Sequence, residues 1–327
     1  MTDSFAFLVI TFIGVLGFEV VNGWTDAPNA VATVVSTRVL SPMKAVGMAA
    51  VFNLLGALSG TAVAATIGKG IVHIDQITLE TIFCACLAVI IWSMFALHFG
   101  LPTSKTHEIV AGLGGAAVAR AGWGVLEYSG WEKVFIGLGV AVVFGMLGGV
   151  LLMSLLTLTL RNASPRLVRQ LFGNLQLVSA AFMAWSHGTA DGQKAMGVMA
   201  MALAIHYHRN FNVPLWVILL AATTMGLSTG LGGWRIIRTL GMRLTHLQPV
   251  HGFAAETAAA MTITVSARFG IPLSTTHTIG SAIMGVGASR RLSAVRWGIA
   301  YNIITAWVLT FPICFGLGFA IAKVIPG

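Results

Sequence analysis

The chain has 327 residues, of which 57% are hydrophobic and only 9% charged, and its mean hydropathy of +0.87 excludes an ordinary soluble domain. Its formal net charge of +9 would suit a nucleic-acid partner, but the basic residues stand at the ends of apolar runs, where they act as topology signals, so no nucleic acid is expected. The runs are about 20 residues long and lack the alternating polarity of about 10-residue barrel strands, so the expected fold is an all-α, polytopic transmembrane bundle of about 10 to 12 helical segments.

The first apolar stretch, 5–21, follows Asp3 rather than a positive charge and shows no cleavage site, so it reads as a membrane helix and not as a signal peptide. It runs into Asn22-Gly-Trp-Thr-Asp26-Ala-Pro-Asn29-Ala30. A carboxylate among amide, hydroxyl and carbonyl oxygens, where Gly23 and Pro28 are expected to interrupt the helix, has the chemistry of a cation site: its hard oxygens suit Na⁺, and the carboxylate itself can carry a proton. Arg38 and Lys44 then mark the cytoplasmic side. Continuous spans are expected over 45–67 and 79–98, followed by Leu101-Pro-Thr-Ser104-Lys105-Thr106-His107. A Pro followed by hydroxyl residues at a helix start supplies donors and free backbone N–H groups to an oxyanion, and Lys105 adds a positive charge.

After a span over 134–160, the basic stretch 161–170 reads as a cytoplasmic linker, dividing the chain into a first repeat, 1–160, and a second, 171–327. The second half repeats both motifs. His187-Gly-Thr-Ala-Asp191-Gly-Gln193-Lys194-Ala195 aligns its Gly188, Asp191 and Ala195 with Gly23, Asp26 and Ala30, and Gly188 is again an expected interruption. Ile271-Pro-Leu-Ser274-Thr275-Thr276-His277 echoes the hydroxyl-rich helix start. Further spans are expected over 215–234 and 297–322. With both termini outside, the basic clusters place the halves in inverted orientation, an arrangement in which broken or re-entrant helices meet at a midplane substrate site.

Asp26, Asn29, Asp191, Lys194 and Glu256 are accordingly candidates for coupling to a cation, and Ser104, Lys105, Thr106, Ser274, Thr275, Thr276 and Gln193 for holding an anion. Ionisable groups inside hydrocarbon cost at least about 2.5–3.5 kcal/mol and persist where they are paired, hydrated or useful. Ser104 and Ser274 also suit plain helix caps, and His107 and His277 suit structural packing. His187 and Asp191 have the i,i+4 spacing of metal ligands, with no third ligand evident. Cys84, Cys86 and Cys314 lie in apolar runs and point to neither disulfides nor zinc. A passive anion channel would not need paired titratable carboxylates, and a hydrolase would need a metal or nucleophile constellation that is not evident.

In its two acidic motifs, its Pro-x-Ser-x-Thr-His elements at Pro102 and Pro272 and its Ala255-Glu256 pair, the chain resembles the inorganic phosphate transporter (PiT) family, and among its members the bacterial low-affinity permeases. The resemblance covers nearly the whole chain. It implies phosphate as cargo, free or as a metal complex, symport with H⁺ or Na⁺ and no other cofactor. It also implies a multi-pass location in the bacterial cytoplasmic membrane and a homodimeric assembly, with sulfate as the alternative cargo. Thr25 and Ala190 stand where sodium-coupled relatives carry Asn, which favours proton coupling.

Overall fold

The computed structural model describes residues 4–325. Among these residues the chain forms twelve α-helices, with one isolated antiparallel bridge between Val72 and Leu126 as its extended pairing. The first six are α1 (Phe5–Ser36), α2 (Pro42–Ala57), α3 (Ala62–Lys69), α4 (Leu79–Phe99), α5 (Lys105–Ala121) and α6 (Tyr128–Thr159). The next six are α7 (Pro165–Tyr207), α8 (Leu215–Thr229), α9 (Trp234–Arg238), α10 (Pro249–Arg268), α11 (Thr275–Arg290) and α12 (Trp297–Val324). Among the described residues, four helices are long and apolar enough to cross a bilayer, and six if each sharply bent pair counts as one span.

Polarity is arranged for an apolar solvent. On α6, Leu151, Leu155 and Leu158 are all more than half exposed along one helical face, whereas Asp26, Lys105, Glu108, Asp191, Lys194 and Glu256 are buried. A soluble protein would hide the leucines; here the exposed apolar surface suits lipid, and the interior holds the charges.

Local signals explain where the chain turns. Gly100 and Gly270 end α4 and α10 in the left-handed conformation, at φ 68° and 64°. Each lets the next residue fold back, with Leu101 N–H donating to the Ala96 carbonyl (2.9 Å) and Ile271 N–H to the Ser266 carbonyl (3.0 Å). Two residues later Pro102 and Pro272 prevent helix from resuming at once, and Ser104 and Ser274 cap α5 and α11 by accepting from His107 N–H (3.3 Å) and His277 N–H (3.2 Å). The two connections are thus built alike.

Three expectations about spans and breaks require correction. The stretches 45–67 and 215–234 are not continuous spans: α2 and α3 meet at 73°, and α8 meets the α9 segment at 62°. Apolar composition conceals both bends, because Ser59-Gly60 and Gly230–Gly233 supply turns without a charge. Conversely, Gly23, Pro28 and Gly188 do not interrupt their helices, since α1 and α7 run through them. Pro28 frees one carbonyl, but the surrounding packing keeps α1 helical.

Gly188 serves close approach instead. A β-carbon there would overlap the Asn53 carbonyl of α2, and one on Gly56 would overlap the Trp185 carbonyl of α7, so the two helices meet at backbone distance through reciprocal glycines. Gly47, also on α2, has open space around it. Gly56→Ala should therefore lower the apparent Tm measured by fluorescence-detected gel filtration, consistent with an overpacking cost of about 1–3 kcal/mol. Gly47→Ala should leave Tm unchanged or raise it, by up to about 1 kcal/mol of helix propensity.

Candidate functional site

The starts of α5 and α11 come together. The Thr106 hydroxyl donates to the Leu273 carbonyl (3.1 Å), and the Thr276 hydroxyl donates to the Thr103 carbonyl (3.0 Å). Thr103 and Leu273 are matched positions of the two motifs, so the bonds are equivalent under exchange of halves. Behind them, the His107 and His277 rings lie 4.7 Å apart, packed on Phe311 and Trp307 respectively. The backbone N–H groups at the first helical positions have no intrahelical partner, so two positive helix ends converge here.

The acidic motifs reach the same place. Asn29 on α1 donates to the hydroxyls of Thr275 (3.4 Å) and Thr276 (2.9 Å), and the Thr276 hydroxyl lies 3.4 Å from Asp26 Oδ2. Lys105 Nζ lies 2.6 Å from Glu108 Oε1, 3.1 Å from Thr103 Oγ1 and 3.8 Å from Asp26 Oδ1. On α7, Lys194 Nζ pairs with Asp191 Oδ1 at 2.7 Å. Asp26, Asp191 and Glu108 therefore set three carboxylates against the two ammonium groups of Lys105 and Lys194, all nearly inaccessible to solvent.

The third partner that the sequence did not show for His187 and Asp191 is Asp26, from the other half. Potential ligand atoms of the three lie within 4.8 Å of one another. His187 Nδ1 is 3.1 Å from Asn53 Oδ1, which leaves Nε2 directed toward Asp191 Oδ2 at 3.5 Å. His187 Nε2 and Asp191 Oδ2 have no hydrogen-bond partner among the described residues. Two carboxylates and an imidazole nitrogen are a donor set for a proton or a cation.

Not every candidate joins this cluster. Gln193 Oε1 accepts from Val63 N–H (2.8 Å) and Ala64 N–H (3.2 Å), capping α3 at its bend. Its side-chain carbonyl is therefore committed to holding the backbone rather than lying with the hydroxyl group. Glu256 forms a separate knot, accepting from Thr33 (2.5 Å), Gln176 (3.0 Å) and Ser179. Thr33 lies seven residues, two helical turns, beyond Asp26 on α1. Gln176 also accepts from Thr37 (2.9 Å), a wall residue of a cavity of about 1030 Å³ lined by Arg38, Arg169 and His246. Glu256 thus lies between the central cluster and a basic vestibule. Thr103 and Ser93, which holds the second Glu108 oxygen, were missed by the sequence reading, and the pairing of Glu108 with Lys105 was not foreseen; their i,i+3 spacing was the available signal.

The Phosphate transporter family matches residues 22–318. The chain is 40% identical over 316 residues to a "Probable low-affinity inorganic phosphate transporter" of Bacillus subtilis (strain 168), with 95% of this chain and 94% of that protein covered. A protein of the same description from Rhizobium meliloti (strain 1021) is 41% identical over 314 residues, with the same coverage. A solved structure described as "The sodium-dependent phosphate transporter" has the same fold, with a TM-score of 0.90 over 98% of both chains at 23% identity. With the family matched from the first acidic motif to the last helix, this chain belongs to the phosphate transporter family, whose function is transport and not catalysis.

Proposed function

We propose that this multi-pass membrane protein carries inorganic phosphate across the bacterial cytoplasmic membrane by symport with a proton. The observation that supports this most directly is the meeting of Asp26 and Asp191, one from each half, beside two hydroxyl-rich helix starts. The gap between them, where His187 Nε2 and Asp191 Oδ2 lack hydrogen-bond partners, is where one proton would be carried. Phosphate would bind to backbone N–H groups and hydroxyls at the starts of α5 and α11, with Lys105 contributing charge. Thr25 and Ala190 offer no amide oxygens to Na⁺, which favours the proton.

The Thr106–Leu273 and Thr276–Thr103 bonds join the halves. Alternating access would break this reciprocal contact as one part of the bundle rocks against another, with the repeats inverted in the bilayer and both termini outside. The polar line through Thr33, Glu256, Gln176 and Thr37 would connect the centre with the basic vestibule, which would gather anions on the cytoplasmic side. A second reading, carriage of phosphate as a metal complex, is favoured by the Asp26, His187 and Asp191 donor set.

Uptake of ³²P-phosphate into proteoliposomes should fall at least about tenfold in Asp26→Asn and in Asp191→Asn, since each removes a titratable site from the interior. Wild-type rates in both variants would remove the carboxylates from the mechanism. In wild type, an inward proton gradient should drive uptake equally well when Na⁺ is replaced by choline, and excess sulfate should not compete. Strict dependence on Na⁺ would overturn proton coupling, while loss of uptake on chelating divalent cations would favour the metal complex as cargo.

A further inference from the structure

The central cluster contains two side-chain cations that the transport cycle described above does not itself move. Lys105 and Lys194 are each 1% exposed, and each ammonium rests on a carboxylate at salt-bridge distance. They come from opposite halves and different motifs: Lys105 is the first residue of α5, while Lys194 lies well inside α7. No motif symmetry requires either one, because Thr275 stands opposite Lys105 and Asn29 opposite Lys194. Both matched residues, Thr275 and Asn29, are neutral and oxygen-bearing, and they bond to each other at 3.4 Å.

We infer that Lys105 and Lys194 act as tethered counter-ions, holding the positions that mobile monovalent cations would otherwise fill and thereby making the site independent of Na⁺. The inference rests on the central cluster being the coupling site. An ammonium 2.6 Å from Glu108 Oε1 and 3.1 Å from Thr103 Oγ1 occupies the place, and supplies the charge, of a small cation ligated by those oxygens. Lys194 does the same at Asp191 Oδ1. A second cation brought to the same oxygens would meet an ammonium at close range in a poorly screening interior, so the lysines exclude as well as replace. Being part of the chain, they are neither bound from solution nor released, and against the buried carboxylates Asp26, Asp191, Glu108 and Glu19 they leave negative charge uncompensated. A mobile positive charge is then drawn to the cluster. Its place is the gap between Asp26, His187 and Asp191, where His187 Nε2 and Asp191 Oδ2 lack hydrogen-bond partners.

The inference predicts a gain as well as a loss. Purified protein in lipid nanodiscs is tested for ²²Na⁺ binding by scintillation proximity, with unlabelled Na⁺ as displacer and without phosphate. Wild type should show no displaceable binding. Lys105→Ser and Lys194→Asn, each a neutral oxygen-bearing replacement, should each show displaceable counts about tenfold above the non-displaceable background. Lys105→Arg, which keeps the charge, should remain at the wild-type level. Displaceable Na⁺ binding by wild type overturns the inference regardless of how the variants fold. So does the absence of any gain in Lys105→Ser and Lys194→Asn that elute as monodisperse protein. Because this readout contains no phosphate, a failure of phosphate uptake would refute the proposed cargo without touching the result, and the two readings fail separately.

Discussion

Ionisable groups cannot be left without ionic or hydrogen-bond partners inside a bundle whose outer surface faces hydrocarbon, and the architecture follows from that constraint. Each buried ion costs several kcal/mol of desolvation, which a partner at contact distance and further hydrogen bonds must offset. The chain meets the condition twice with an intrahelical i,i+3 pair, Lys105 with Glu108 on α5 and Lys194 with Asp191 on α7. Pairing within one helix forms with the helix itself, so neither ion depends on the halves docking. Asp26 differs: its neighbours Lys105, Thr276, His187 and Asp191 all come from other helices. Its contacts with Thr276, His187 and Asp191 depend on how separate helices pack together.

Two kinds of helix discontinuity share the task of making a polar centre. At the starts of α5 and α11, a left-handed glycine, a proline and a serine cap stop one helix and begin the next within a few residues, leaving N–H groups aimed at the contact between halves. At the bends between α2 and α3 and between α8 and α9, the chain turns without presenting a charge. Gln193 secures the first of these bends, so a residue within the acidic motif acts on the scaffold. By contrast, the acidic motifs themselves lie on unbroken helix. Gly188 of the second motif, with Gly56, allows α2 and α7 to approach at backbone distance, and that approach also places Asn53 beside His187.

A membrane bundle was legible from composition and hydropathy, as were the duplicated motifs and the serine caps, because span length, chain punctuation and capping depend on residues near one another in sequence. The two bends escaped notice because Gly and Ser leave the hydropathy of 45–67 and 215–234 nearly unchanged. Gly23, Pro28 and Gly188 were misjudged for the opposite reason: their intrinsic tendency to break a helix is overridden by packing that only neighbouring helices provide.

The sequence by itself determined which side chains had to be accommodated in an apolar medium and that they came in two matched sets. Tertiary structure alone decided which of them meet. It joined Asp26 to His187 and Asp191 from the far part of the chain, brought Thr106 to Leu273 and Thr276 to Thr103, and set Glu256 apart with Thr33, Gln176 and Ser179. The reason is that an ion pair within one helix follows from a spacing of three or four residues, whereas a site shared between halves depends on how helices cross, and crossing is set by the small residues and bends through which they pack.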